Sequence, residues 1–362
     1  MSKKVGLEDL LKILKEEGIN PNFNVDAFNK DYERQQGSNR LILLQVLTFL
    51  GALLGAGFFL LFLAVAGGLE SEAVLLFLGV LGLGLAVAIP YISKENAMVE
   101  PLALAILIVG GGLFMAGLGS LIWQEYQLLL WIGIIVSGVI LVVSASHLQK
   151  VSAVLTFNCF CLALVTEWRL SIGFSFLVLL NAAVITTLWL KETAILEAVP
   201  KLGQWYAAIV NGCSISMLGI IYFFMNLPIY WYEEDWGNSY YWMSSILLVA
   251  LVVWVLYEAL DWFKVESQQL PILIGTALAM FILVKAPGII AGILLLLLGL
   301  LVGYYLFVIQ GIVAIFFFTV LFYYNLNSSL LMKSALMIGA GVLLGAMGYG
   351  LKQLYNRENL AE

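Results

Sequence analysis

The chain is 362 residues long, 62% hydrophobic and only 11% charged, with a formal net charge of −6 and a mean hydropathy of +1.01. Soluble domains carry roughly a quarter charged and about half apolar residues, so a water-soluble fold is excluded. The composition specifies an all-α, polytopic helical membrane bundle whose first partner is the lipid bilayer.

Residues 1–40 form the only long polar region. Leu7, Leu10, Leu11 and Leu14 fall at i, i+3, i+4 and i+7, one stripe of a helix. Gly18 can cap its end, and Asn20-Pro21 stops it. A second short helix is expected to start at Asn24 as N-cap, with Val25, Phe28 and Tyr32 on one side. The head's lysines are balanced by acids, so it reads as a small helical unit packed on the membrane or a loop, not as a polybasic anchor. No short apolar run with a cleavage site precedes it, and no signal peptide is expected.

A spanning helix needs about 20 apolar residues. Twelve segments meet or approach that, near 41–66, 73–92, 102–122, 127–146, 149–166, 171–190, 205–226, 243–262, 270–285, 288–303, 305–324 and 330–351. The fifth, ninth and tenth are short, and fusing the ninth with the tenth would give eleven. The domain reading is a cytosolic head (1–40), a first six-helix half (41–190), a cytosolic connector (191–204), a second six-helix half (205–351) and a cytosolic tail (352–362).

Basic residues collect in cytoplasmic loops. With twelve spans and the N-terminus inside, only Arg169, Lys285 and Lys333 of the 17 basic residues fall outside. An eleven-span count would export Lys352 and Arg357. Both termini are therefore expected in the cytoplasm, in a bacterial cytoplasmic (inner) membrane.

The largest outer loop places Glu233, Glu234 and Asp235 among Trp231, Tyr232, Trp236, Tyr240, Tyr241 and Trp242. Trp and Tyr gather where a ring wants lipid and its N–H or O–H wants water, so this reads as an aromatic belt around an acidic turn, with cation or ligand capture at the outer mouth as the alternative. Glycines recur at Gly51/Gly55, Gly79, Gly82/Gly84, Gly110–Gly112, Gly117/Gly119 and Gly341/Gly345. Small residues four apart let helices approach closely in lipid, so Gly51/Gly55 and Gly341/Gly345 read as packing seams.

Candidate chemistry is sparse. The single histidine, His147, is placed with Lys150 in a short cytosolic loop. Cys159, Cys161 and Cys213 read as small buried hydrophobes. No zinc, thiol or hydrolase motif occurs; no metal, cofactor or nucleic-acid partner is expected. Asn158, Asn181, Asn211, Glu258 and Gln310 fall within spans, where amides more often join helices than bind a substrate. Glu258 and Asp261, at i and i+3, share one helix face and form a candidate proton or cation site. Lys285 and Lys333 fall at the outer ends of their helices and, with Arg169, form a candidate outer polar site on one vestibule, the alternative being simple interface anchors. Ala286-Pro287-Gly288 reads as the hinge of a broken helix.

Ala286-Pro287-Gly288 with its leucine run, Tyr323-Tyr324 with Leu326, and Leu330-Leu331-x-Lys333-Ser334 before a glycine-bearing last helix carry a resemblance. The chain resembles a bacterial family of polytopic membrane proteins, a domain-of-unknown-function family of the kind encoded beside a GDYXXLXY-motif protein. The run LTFLGALLGAGFFLLFLAVAG after the head is similar to the start of a related family, but the usual Asn-Trp pair is missing at Ala64–Gly67. The resemblance implies a neighbouring membrane or envelope partner and no established reaction. The expectation is a non-catalytic envelope component acting with that neighbour. The alternative is a secondary transporter or permease for a small solute or ion.

Overall fold

The computed structural model describes residues 25–92, 98–122, 125–168, 170–226, 241–262, 269–281, 283–325 and 338. Among them every element is helical: α1 (Val25–Val65), α2 (Glu72–Ile92), α3 (Val99–Leu121), α4 (Tyr126–Val143), α5 (His147–Glu167), α6 (Ser171–Leu190), α7 (Glu192–Ala198), α8 (Gly203–Asn226), α9 (Tyr241–Trp262), α10 (Gln269–Phe281), α11 (Pro287–Val302) and α12 (Tyr305–Asn325), with 3₁₀ turns at Gly68–Glu70 and Pro200–Leu202. Nine of the described helices, α1–α6, α8, α9 and α12, are long and apolar enough to cross a membrane. The apolar helices α10 and α11, of 13 and 16 residues, are shorter. Apart from Ile338, the expected segment 330–351 lies outside the described residues, as do Gly341/Gly345 and the acidic tip Glu233–Asp235.

The start of the chain departs from expectation. In place of a short head helix followed by a separate span, α1 is one helix of 41 residues, about 60 Å long at 1.5 Å per residue. It begins beside Asn24, where the N-cap was expected. Nothing interrupts it because it contains no proline, and its one polar-region glycine, Gly37, costs a helix interior only about 1 kcal/mol. It ends at Val65, and the turn after it contains Gly67, whose φ of 73° is a conformation that favours glycine.

The bundle is built from antiparallel neighbours, α2 on α3, α4 on α5 and α11 on α12, with α8 packed between α5 and α6 and α9 against α6, α10 and α11. The α2–α3 crossing is set by glycine. A Cβ on Gly82 would lie 2.9 Å from Gly110 Cα, and one on Gly79 would lie 2.5 Å from Phe114 Cα. At both points the two backbones touch directly, as small-residue seams in lipid allow. Gly51 and Gly55 behave differently: nothing lies within 4 Å of a Cβ at either. The seam expected there is not filled by any described residue, and Leu47, Leu50, Leu54 and Phe58 of the same helix also face outward.

The apolar centre forms where α6, α8, α9, α11 and α12 meet: Ile185, Met217, Ile221, Leu248, Leu294, Leu295, Leu298 and Phe307 are buried together. Gly303, at φ 74°, turns α11 into α12. The hairpins bring the ends of α2, α4, α6 and α11 and the starts of α5, α8 and α12 to one end of the bundle. Side chains from these segments join there, as the hydrogen bonds described next show.

Candidate functional site

The polar side chains buried at that end serve the termini and breaks of helices. Pro90 lies inside α2 and has no N–H, so the carbonyl of Ala86, four residues earlier, loses its intrahelical donor. Gln149 of α5, fully buried, fills that gap: its Nε2 donates to the Ala86 carbonyl at 2.7 Å. The Ser144 hydroxyl donates to Oε1 of the same amide. Tyr91 donates at 2.5 Å to the carbonyl of Val143, the last residue of α4, and Tyr206 donates at 3.0 Å to the carbonyl of Leu188 in the last turn of α6. Carbonyls in a last helical turn have no intrahelical donor, so each tyrosine occupies an acceptor that the helix itself leaves open.

Lys150 corrects the sequence reading. The sequence alone places it in a loop with His147, yet both belong to the first turns of α5, with His147 exposed and Lys150 only 8% exposed. The Nζ of Lys150 donates to the Gln204 carbonyl near the start of α8, at 3.0 Å. No carboxylate of a described residue pairs with it. Glu192 of α7, half-buried at this end, is set against the Tyr206 hydroxyl.

Deeper in the bundle the amides join helices in pairs. Asn181 of α6 donates to Asn158 Oδ1 of α5 at 2.8 Å, and each asparagine also donates to the carbonyl four residues before it. Asn211 of α8 meets the Tyr304 hydroxyl at 3.1 Å, and Ser214 stands 2.9 Å from Gln310 Oε1 of α12. Trp189 packs among Tyr206, Tyr304 and Phe307, with ring centroids 5.8, 5.0 and 5.6 Å away. Its Nε1–H, and the hydroxyls of Ser146 and Ser216, are buried with no partner among the described residues.

The residues singled out from the sequence are not drawn into one constellation. Arg169 and Lys333 lie outside the described residues. Lys285 is exposed in the turn at Leu283–Lys285 that separates α10 from α11. The hinge is built as a helix start: Ala286 is the N-cap, Pro287 supplies the first turn of α11, and Gly288 is pressed against the Phe318 ring, which a side chain at 288 would strike. Glu258 is half-buried one turn from the end of α9 and accepts a hydrogen bond from Trp254 Nε1 at 3.3 Å, while Asp261 is exposed. Of the cysteines, Cys213 is buried, Cys161 is half-buried and Cys159 faces outward, against the expectation that all three are buried.

Sequence reasoning missed Gln149, Lys150, Tyr206 and Tyr304. The signal for the first two was the serine-bearing stretch Ser144–Ser146, since Ser is favoured just before a helix start and Ser146 is the N-cap of α5. Together these contacts give the described interior two evident uses: at one end they close hydrogen bonds that helix ends and a proline leave open, and deeper in they tie helix to helix.

No curated protein and no solved structure matches the chain. A family model described as a domain of unknown function (DUF4401) matches residues 42–354, from the first span to beyond α12. This integral membrane protein belongs to the DUF4401 family.

Proposed function

We propose that this protein is a non-catalytic component of a bacterial cytoplasmic-membrane envelope system, with twelve spans and both termini in the cytoplasm. In this reading it acts with a second membrane protein, the GDYXXLXY-motif protein that the resemblance pairs with its family. The observation that carries the reading is how the buried polar groups are used. Gln149, Tyr206, Asn181 and Ser214 each engage a neighbouring helix. Groups spent on the bundle's own backbone and amides stabilise a scaffold, whereas a solute path needs polar groups left for the solute.

Co-expression of the full chain with the GDYXXLXY-motif protein tests this. The expected result is co-elution as one complex from mild detergent. Separate elution of two folded proteins contradicts the reading. A transporter is the second reading, favoured by the break between the two short helices α10 and α11, because interrupted helices can expose backbone dipoles to an ion or solute. Proteoliposome uptake abolished by Lys285→Ala or Glu258→Gln would favour it instead.

A further inference from the structure

The start of α5 concentrates positive potential, and no carboxylate of a described residue pairs with its lysine. The first N–H groups of this 21-residue helix have no intrahelical acceptor, and they form the positive end of its dipole. Side chains on a helix lean toward its N-terminus. The ammonium of Lys150, four residues after the Ser146 N-cap, is thereby directed back along the first turn, where it reaches the Gln204 carbonyl. Gln204 is itself the second residue of α8, so the same ammonium stands near a second positive helix end, which opposes a cation. An ammonium has three donors, and Lys150 has a single acceptor among the described residues.

The second observation is independent of the charge. Ser146 is 1% exposed, and its hydroxyl finds no partner among the described residues, not even the first-turn N–H groups that an N-cap serine normally serves. A buried hydroxyl left unpaired costs about 1–3 kcal/mol, so its retention at this point indicates a use that the protein alone does not supply. His147 and Ala145, on either side of it, are exposed, so this helix start lies at the surface of the bundle.

We propose that the start of α5 binds a phosphate-type oxyanion, held by its first-turn N–H groups, the Ser146 hydroxyl and the Lys150 ammonium. Helix N-termini suit such groups because the N–H bonds point at the ligand and the dipole favours its charge. A basic pocket between helices at a membrane face also suits a lipid phosphate. The source is therefore either an anionic lipid headgroup or free phosphate, and the two are separable.

Full-length protein in neutral detergent is titrated in two arms, with phosphatidylglycerol against phosphatidylcholine in mixed micelles, and with sodium phosphate against sodium chloride at equal ionic strength. Binding is read from the unfolding midpoint and by native mass spectrometry. The expected result is saturable binding in at least one arm. Binding is weakened about tenfold by Ser146→Ala, since a hydrogen bond to a charged group contributes about that much. It is lost in Lys150→Met and unchanged in Lys201→Met, an exposed lysine at the same end.

Should Lys150→Met fail to fold, Ser146→Ala still decides, because a hydroxyl without a protein partner has no bond to lose in the ligand-free fold. Its ligand-free unfolding midpoint should lie at or above that of the wild type, because the substitution removes an unpaired buried hydroxyl. Saturation in the lipid arm alone assigns a headgroup; saturation by phosphate assigns a free anion. The proposal is overturned if neither arm saturates, if Ser146→Ala binds as wild type, or if Lys201→Met loses as much as Lys150→Met.

Discussion

Gly110→Leu should cost the bundle about 3 kcal/mol or more, and Gly51→Leu should cost less than about 0.5 kcal/mol, as measured by detergent-mediated unfolding. Overpacking a filled interior typically costs about 1–3 kcal/mol when side chains can shift. At Gly110 they cannot give way, because an added Cβ would lie 2.8 Å from the backbone carbon of Gly82 and 2.9 Å from Leu83 N. The α2–α3 pair would have to separate along its length, losing the fits at Gly79 and Gly117 as well. At Gly51 nothing lies within 4 Å, so the new side chain adds apolar surface to an outward face and removes a weak helix former. Comparable losses at both positions would mean that α1 is packed as tightly as α2.

The contrast between these two glycines shows what could be read from the sequence and what could not. Hydropathy located the apolar helices well: expected segments at 73–92, 205–226 and 305–324 correspond to α2, α8 and α12 within a few residues. The short ninth and tenth segments became the short helices α10 and α11, separated at Ala286-Pro287, because proline is at home in a helix's first turn and not in its interior. Contact partners were another matter. Gly51-x-x-x-Gly55 and the Gly82–Gly110 crossing look alike as sequence, and only the fold shows which face meets a neighbour.

A helix apolar all round carries no stripe that tells its inner side from its lipid side. Lys150 failed for a related reason. Charge near a span boundary reads as loop, and only the approach of α8 reveals that a helix start is buried there.

Gln149→Leu should destabilise the protein by about 2 kcal/mol without changing its span topology. The substitution keeps the volume but strips two buried partners: the Ala86 carbonyl loses its donor and the Ser144 hydroxyl its acceptor. Leaving a buried group unpaired costs about 1–3 kcal/mol, and α2 cannot repair its own carbonyl because residue 90 is proline. Gln149→Glu should also fail, since a carboxylate presents no N–H to the Ala86 carbonyl and carries a charge into a fully buried position. Unfolding of each variant in the same detergent checks both.

The central claim is that polar side chains inside this bundle mend its backbone, and a double-mutant cycle between Pro90 and Gln149 tests it most directly. Pro90→Ala restores an N–H four residues after Ala86, so the helix can satisfy its own carbonyl and Gln149 becomes less necessary. The account predicts that Gln149→Leu costs less in the Pro90→Ala background than in the wild type, with a coupling of about 1 kcal/mol. If the two substitutions add to within about 0.3 kcal/mol, Gln149 is not repairing the break at Pro90, and the claim fails.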